Sequence, residues 1–184
     1  HRRRTNVVRQ CLERAIVEAY QATPAGDHVG KSIFVAKGTY PTVIGTPRAM
    51  RITGGYDGAT WTWDAAANPT IVGNVPNVDD EGSAACRAGP GCSAQCPCID
   101  WDGWISINAD ADVALRGFVV KGGVRANAPL KPVTVNSSGT VVLADNVIVG
   151  GAGLQNVAVS LAPTATNVWL LRNAISAGVP AGSG

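Results

Sequence analysis

The chain has 184 residues, enough for one domain with a sizeable core. Hydrophobic residues make up 46% and charged residues only 15%, which excludes a disordered polyelectrolyte. A formal net charge of +2 is too small for a nucleic-acid-binding surface, and no apolar run approaches the ~18 residues of a membrane-spanning helix.

Arg2-Arg3-Arg4 is the one basic run, and at the start of the chain it reads as a solvated terminus. The chain opens on His1 and not on Met, which predicts a mature or trimmed product and leaves room for an upstream export signal. Residues 5–20 then form an amphipathic helix, with Val8, Leu12, Ala15, Ile16 and Ala19 at helical spacing and Thr5 or Asn6 as the cap. Pro24-Ala25-Gly26 stops it. Strand signals follow over 31–74 at Ile33-Phe34-Val35, Val43-Ile44, Met50-Arg51-Ile52 and Thr70-Ile71-Val72, the first irregular coils of a solenoid.

Residues 75–103 break this rhythm and hold four of the five cysteines, Cys86, Cys92, Cys96 and Cys98. Three readings of the segment compete. A loop stapled by disulfides fits the Gly89-Pro90-Gly91 turn and an oxidising setting, with Cys11 on the helix making the count odd. A metal site would depart from paired Cys-x2-Cys knuckles, and redox chemistry would call for Cys-x-x-Cys, which is absent.

Residues 104–176 repeat themselves three times at a step of about 24 to 28 residues, the length of one solenoid rung. Ile107, Val135 and Val159 correspond, then Leu115, Leu143 and Leu170, then Val120, Ile148 and Ile175. Like residues stack on like in the interior. Asn108 with Asn136, and Asn146 with Asn173, fall at corners, where stacked amides hydrogen-bond along a ladder. The expected fold is all-β: one solenoid domain over 1–184, with the helix plugging its first coil and a Cys-rich loop at 75–103. Nothing comparable to the helix follows Ile175, so the last coil is expected to be uncapped in this sequence: either the native protein continues, or another copy or another envelope protein covers that end.

Lys31-Ser32-Ile33-Phe34-Val35-Ala36-Lys37-Gly38-Thr39-Tyr40 resembles the first coil of pectin-lyase-like right-handed parallel β-helix proteins. Ile52-Thr53-Gly54-Gly55-Tyr56-Asp57, Trp61 and Thr70-Ile71-Val72-Gly73 look like the next element of a bacterial secreted subgroup with a Gly-Gly-Tyr-Asp turn. The resemblance implies a right-handed parallel β-helix and an extracellular or cell-surface location. Fold alone does not confer an activity.

The resemblance brings two catalytic patterns with it. The hydrolases of the superfamily add Gly-His-Gly and Arg-x-Lys motifs, but the two histidines here, His1 and His28, lie outside the repeats. The lyase pattern would draw on Asp110 and Asp112, as acids or as calcium ligands, and on Arg116 or Lys121 as base. A carbohydrate-binding module would use Trp101 and Trp104, which flank Asp102-Gly103. Trp61 and Trp63 alternate, which would point them to opposite sides of an extended segment, and Trp169 is expected to face outward. Asn136-Ser137-Ser138 matches the N-glycosylation pattern. The leading expectation is a non-catalytic exported protein that serves as a surface, matrix or filament-forming assembly component, with no cofactor except calcium as an option. A polysaccharide-acting enzyme, lyase before hydrolase, and a carbohydrate-binding module are the alternatives.

Overall fold

The computed structural model describes residues 7–24, 26–40, 44–73, 105–125, 131–153 and 157–178. The helix α1 (Val7–Gln21) comes first, within a residue or two of its expected bounds. Sixteen strands follow among these residues. One sheet holds β1 (Lys31–Ala36), β4 (Met50–Tyr56), β7 (Val113–Arg116), β11 (Val141–Ala144) and β15 (Val168–Leu171) in that order, and is called sheet A below. Sheet B holds β2 (Gly38–Tyr40), β5 (Thr70–Gly73), β8 (Phe118–Lys121), β12 (Val147–Val149) and β16 (Ala174–Ser176). Sheet C holds β3 (Ile44–Thr46), β6 (Ile105–Ile107), β10 (Val133–Val135) and β14 (Val159–Leu161), and a short pair joins β9 (Val124–Arg125) to β13 (Ala152–Gly153).

Every pairing between named strands is parallel, and each strand meets its counterpart one coil later. The fold is therefore all-β, a parallel solenoid of the β-helix kind. The stacking rule holds at two of the three expected rows. Leu115, Leu143 and Leu170 are in register, as are Val120, Ile148 and Ile175. The third row needs correction: Val135 pairs with Leu161, and Val159 with Val133. A slip of two residues leaves the same side chains facing inward, so the apolar pattern does not distinguish the two registers.

Inward-facing residues build one continuous core. Ile52, Leu115 and Leu143 line it from sheet A, Val72, Val120 and Ile148 from sheet B, and Ile44, Ile105 and Val133 from sheet C; all are at most 1% exposed. Thr46 interrupts the apolar lining of sheet C, and its hydroxyl has no hydrogen-bond partner among the described residues. α1 packs against β1, β2 and β3 and buries Leu12, Ile16 and Ala19. Arg48 fastens the end of the helix: its guanidinium donates to the carbonyls of Tyr20 and Thr23 and lies 4.5 Å over the Tyr20 ring.

Sheet A turns into sheet B through a single left-handed residue in three successive coils: Gly117 (φ 72°), Asp145 (φ 54°) and Arg172 (φ 51°). At Gly117 a side chain is also blocked by space, since a Cβ would lie 2.7 Å from the Gly54 carbonyl oxygen. Asn146 and Asn173, next in sequence, form the expected amide ladder. Asn146 accepts from the Phe118 N–H at 3.0 Å and donates to the Leu115 carbonyl at 3.1 Å and to Asn173 Oδ1 at 3.0 Å. Asn173 repeats the pattern one coil on, donating to the Leu143 carbonyl. At the other corner the amides do not bond each other: Asn108 donates to Ser106, and Asn136 accepts from Thr164.

The coils depart from regularity at two points. Between β4 and β5 the corner expands into residues 57–69. The cysteine-bearing segment joins β5 of sheet B to β6 of sheet C, so it is inserted within one coil. Cys86, Cys92, Cys96, Cys98, Trp101 and Trp104 lie outside the described residues, as do both expected helix caps, Thr5 and Asn6.

Candidate functional site

The residues expected to carry polysaccharide chemistry are distributed over three places. Asp110 and Asp112 sit in the turn before β7 and not on a strand, so the alternation argument for a shared face does not apply to them. Asp110 accepts from the Ser138 hydroxyl at 3.2 Å and Asp112 from the Thr140 N–H at 2.9 Å, each joining its coil to the next. Arg116 ends β7, at the opposite edge of sheet A, and Lys121 ends β8 on sheet B. Among the described residues no three His, Cys, Asp or Glu side chains converge as a metal site would require. Cys11 falls on α1.

The outer face of sheet A gathers a different set. The register aligns Phe34, Thr53, Arg116, Ala144 and Leu171 in one outward row, and Ser32, Arg51, Ala114, Val142 and Trp169 in its neighbour. Trp169 faces outward as expected, and its indole N–H donates to Asn167. The three described tryptophans, together with Phe34 and Tyr56, all lie on or beside this face.

Residues 57–63 order two of them. Asp57 Oδ1 accepts from the N–H groups of Ala59 and Thr60, at 2.8 and 3.0 Å, and Asp57 Oδ2 accepts from Lys37 at 2.7 Å. These bonds, the lysine's first, hold the Asp57 carboxyl well below the usual carboxylate range. The backbone closes with Trp61 N–H on the Asp57 carbonyl and Asp57 N–H on the Thr62 carbonyl. Closure places Trp61 at φ 55°, a left-handed conformation that is an outlier for so bulky a residue. Its indole is 56% exposed and lies 6.1 Å from the Tyr56 ring, which meets Phe34 edge-on at 5.2 Å.

Trp63 serves another purpose. It forms the antiparallel bridge with Tyr56, its indole N–H donates to the Gly54 carbonyl at 2.9 Å, and the Arg116 guanidinium covers one ring face at 4.0 Å. Arg116 and Arg172 both bind Asp145, at 2.7 and 2.6 Å, and Arg172 adds a second contact at 2.9 Å. The Arg172 bond is the largest cause, ahead of Arg116, that lowers the Asp145 carboxyl to about 2, and Asp145 in turn raises Arg172. Beside them is a shallow groove of about 270 Å³, bordered by Ala65, Ala66, Gly117, Asp145, Val147 and Arg172. Neither the role of Trp61 nor the charged corner was foreseen from the sequence. Asp57-Gly58 was a usable turn signal for the first. The second had none, because Arg116, Asp145 and Arg172 meet only through the coil register.

The last described coil offers a third feature. Leu170, Ile175 and Leu161 occupy positions whose partners one coil earlier are at most 1% exposed, yet they are 45%, 44% and 49% exposed. Inward-pointing apolar groups and the outer edges of β14, β15 and β16 are thus presented together.

The chain matches no protein-family model, no curated protein and no solved structure. Among the described residues no helix is long and apolar enough to cross a membrane.

Proposed function

We propose that this is an exported, right-handed parallel β-helix of the pectin-lyase-like kind, with α1 as its cap and the cysteine-bearing segment as a disulfide-stapled loop. Its function is non-catalytic: a surface or matrix component that assembles through its last coil. What supports this reading is the exposure of Leu161, Leu170 and Ile175 on β14–β16, the last coil of the described residues, at positions that the earlier described coils bury. Open strand edges bearing apolar side chains are a template for another β-layer. The enzyme alternative draws no support from the geometry, because Asp110 and Asp112 are engaged in joining coils and Arg116 is paired with Asp145.

The partner in this reading is a second copy of the chain. α1 covers β1, β2 and β3, so a head-to-tail filament would find no open coil to receive the last one. Like ends meet instead, giving a closed two-fold pair. Sedimentation velocity tests this. The purified protein is expected to run as a concentration-dependent dimer, and the Leu170→Asp/Ile175→Asp double variant as a monomer with an unchanged circular dichroism spectrum. A wild-type protein that stays monomeric at high micromolar concentration overturns the reading.

A further inference from the structure

We propose that Phe34, Tyr56 and Trp61 form a pre-set stacking platform for a neutral polysaccharide, independent of the last coil. Three observations point there. First, Phe34 and Trp61 are 55% and 56% exposed and meet the half-buried Tyr56 ring between them, and the residues beside Phe34 on the outer face of β1 and β4 are the polar Ser32, Arg51 and Thr53. A protein-docking surface of the usual kind would surround such rings with further apolar area.

Second, Trp61 holds a costly backbone conformation without burying its ring. The left-handed region suits Gly or Asn, and a bulky residue held there against strain marks a position where the side chain is needed for something other than the turn. Trp63 provides the contrast. Its N–H and one ring face are spent inside the molecule, whereas the Trp61 indole N–H has no partner among the described residues. Packing therefore accounts for Trp63 and leaves Trp61 unexplained.

Third, polar groups are fixed around the rings. The Thr60 and Thr62 hydroxyls lie 2.8 Å apart, and Thr60 also reaches Asp57 Oδ1 at 3.3 Å. With Thr60 donating to the carboxylate, Thr62 donates to Thr60 and keeps its lone pairs for an external hydroxyl. Lys37 is half-exposed and tied to Asp57, so the local charge is compensated and does not select an acidic sugar. Aromatic faces for the C–H face of a pyranose, flanked by directional acceptors for its hydroxyls, are the combination that a neutral sugar ring requires. The face continues past Arg51 and Thr53 towards Trp169, which suits a chain of sugars better than a single one.

Affinity gel electrophoresis of the full chain in soluble β-glucan, xylan or mannan tests the platform, with polygalacturonate as the acidic comparison. Retardation by at least one neutral polymer is expected. Trp61→Gly is the informative variant, because glycine is relaxed at this φ. It is expected to bind about tenfold or more weakly while its Tm stays level or rises. Phe34→Ala, at an exposed position, should also weaken binding with no loss of Tm. Three results overturn the proposal: no retardation by any neutral polymer, retardation unchanged in both variants, or a Tm several degrees lower in Trp61→Gly, which would make Trp61 a packing residue.

Discussion

Asp145 is the residue on which two coils depend electrostatically. It sits at a left-handed corner between Arg116 and Arg172, contacts both, and shares its cationic partner Arg116 with the Trp63 ring. Its folded carboxyl titrates at about 2, below the ~3.9 of an unfolded chain. A depressed folded value means that the unfolded state takes up protons first as the pH falls. The stabilisation is therefore complete above about pH 4 and is lost as the pH drops through about 2. Thermal melts at about pH 5 and pH 2.5 are expected to show a smaller acid-induced fall in Tm for Asp145→Asn than for the wild type. The pairs are partly exposed, so the difference should shrink in high salt. None of this is legible in sequence, because Arg116 and Asp145 are 29 residues apart and the amino-acid types alone do not align them. The Trp61 conformation is a similar case. Two tryptophans separated by one residue suggest alternation along a strand, but the Asp57 side chain organises a closed turn there instead.

At the scale of elements, the stability of the stack is divided between apolar rows and the amide ladder. Asn146 is 1% exposed, and its amide satisfies both the Phe118 N–H and the Leu115 carbonyl. Asn146→Ala would strand two buried backbone groups, a loss of roughly 2–4 kcal/mol measurable by urea denaturation, since each orphaned group costs about 1–3 kcal/mol. The ladder was legible beforehand because Asn146 and Asn173 follow matched apolar strands at the same offset. Asn108 and Asn136 satisfy the same sequence criterion but point to other partners, since their corner supplies Ser106 and Thr164 as nearer ones. The leucine row at 115, 143 and 170 was legible for a physical reason too: identical side chains in consecutive coils fill identical space. The sheet C row was displaced by two residues because the strand period cannot register an even slip.

The described coils are asymmetric: a helix packs on the first, and the last, β14–β16, carries exposed apolar side chains at positions that earlier coils bury. Leu143 and Leu170 measure the difference, since they occupy the same row one coil apart. Leu143→Ala should cost about 2–5 kcal/mol at any protein concentration, as a buried large-to-small substitution does. Leu170→Ala should cost well under that in dilute solution, and its cost should grow with protein concentration if the last coil is covered by association. Urea titrations at two concentrations separate these outcomes. The insertion between β5 and β6 has a further effect, on the order in which the coils are acquired. Strand partners among the later coils are 26 to 28 residues apart, whereas Ile44 must find Ile105, and Met50 must find Val113, across more than twice that length. Each doubling of a loop adds only about 0.6 kcal/mol of closure entropy, so the equilibrium hardly registers the extra chain. The rate does, because that entropy is spent before any long-range contact forms. Lys31 meets Met50 across a shorter span than any partners of the later coils, so β1–β4 and β6–β16 each close locally, and the step that the insertion slows is the docking of the first group onto the second.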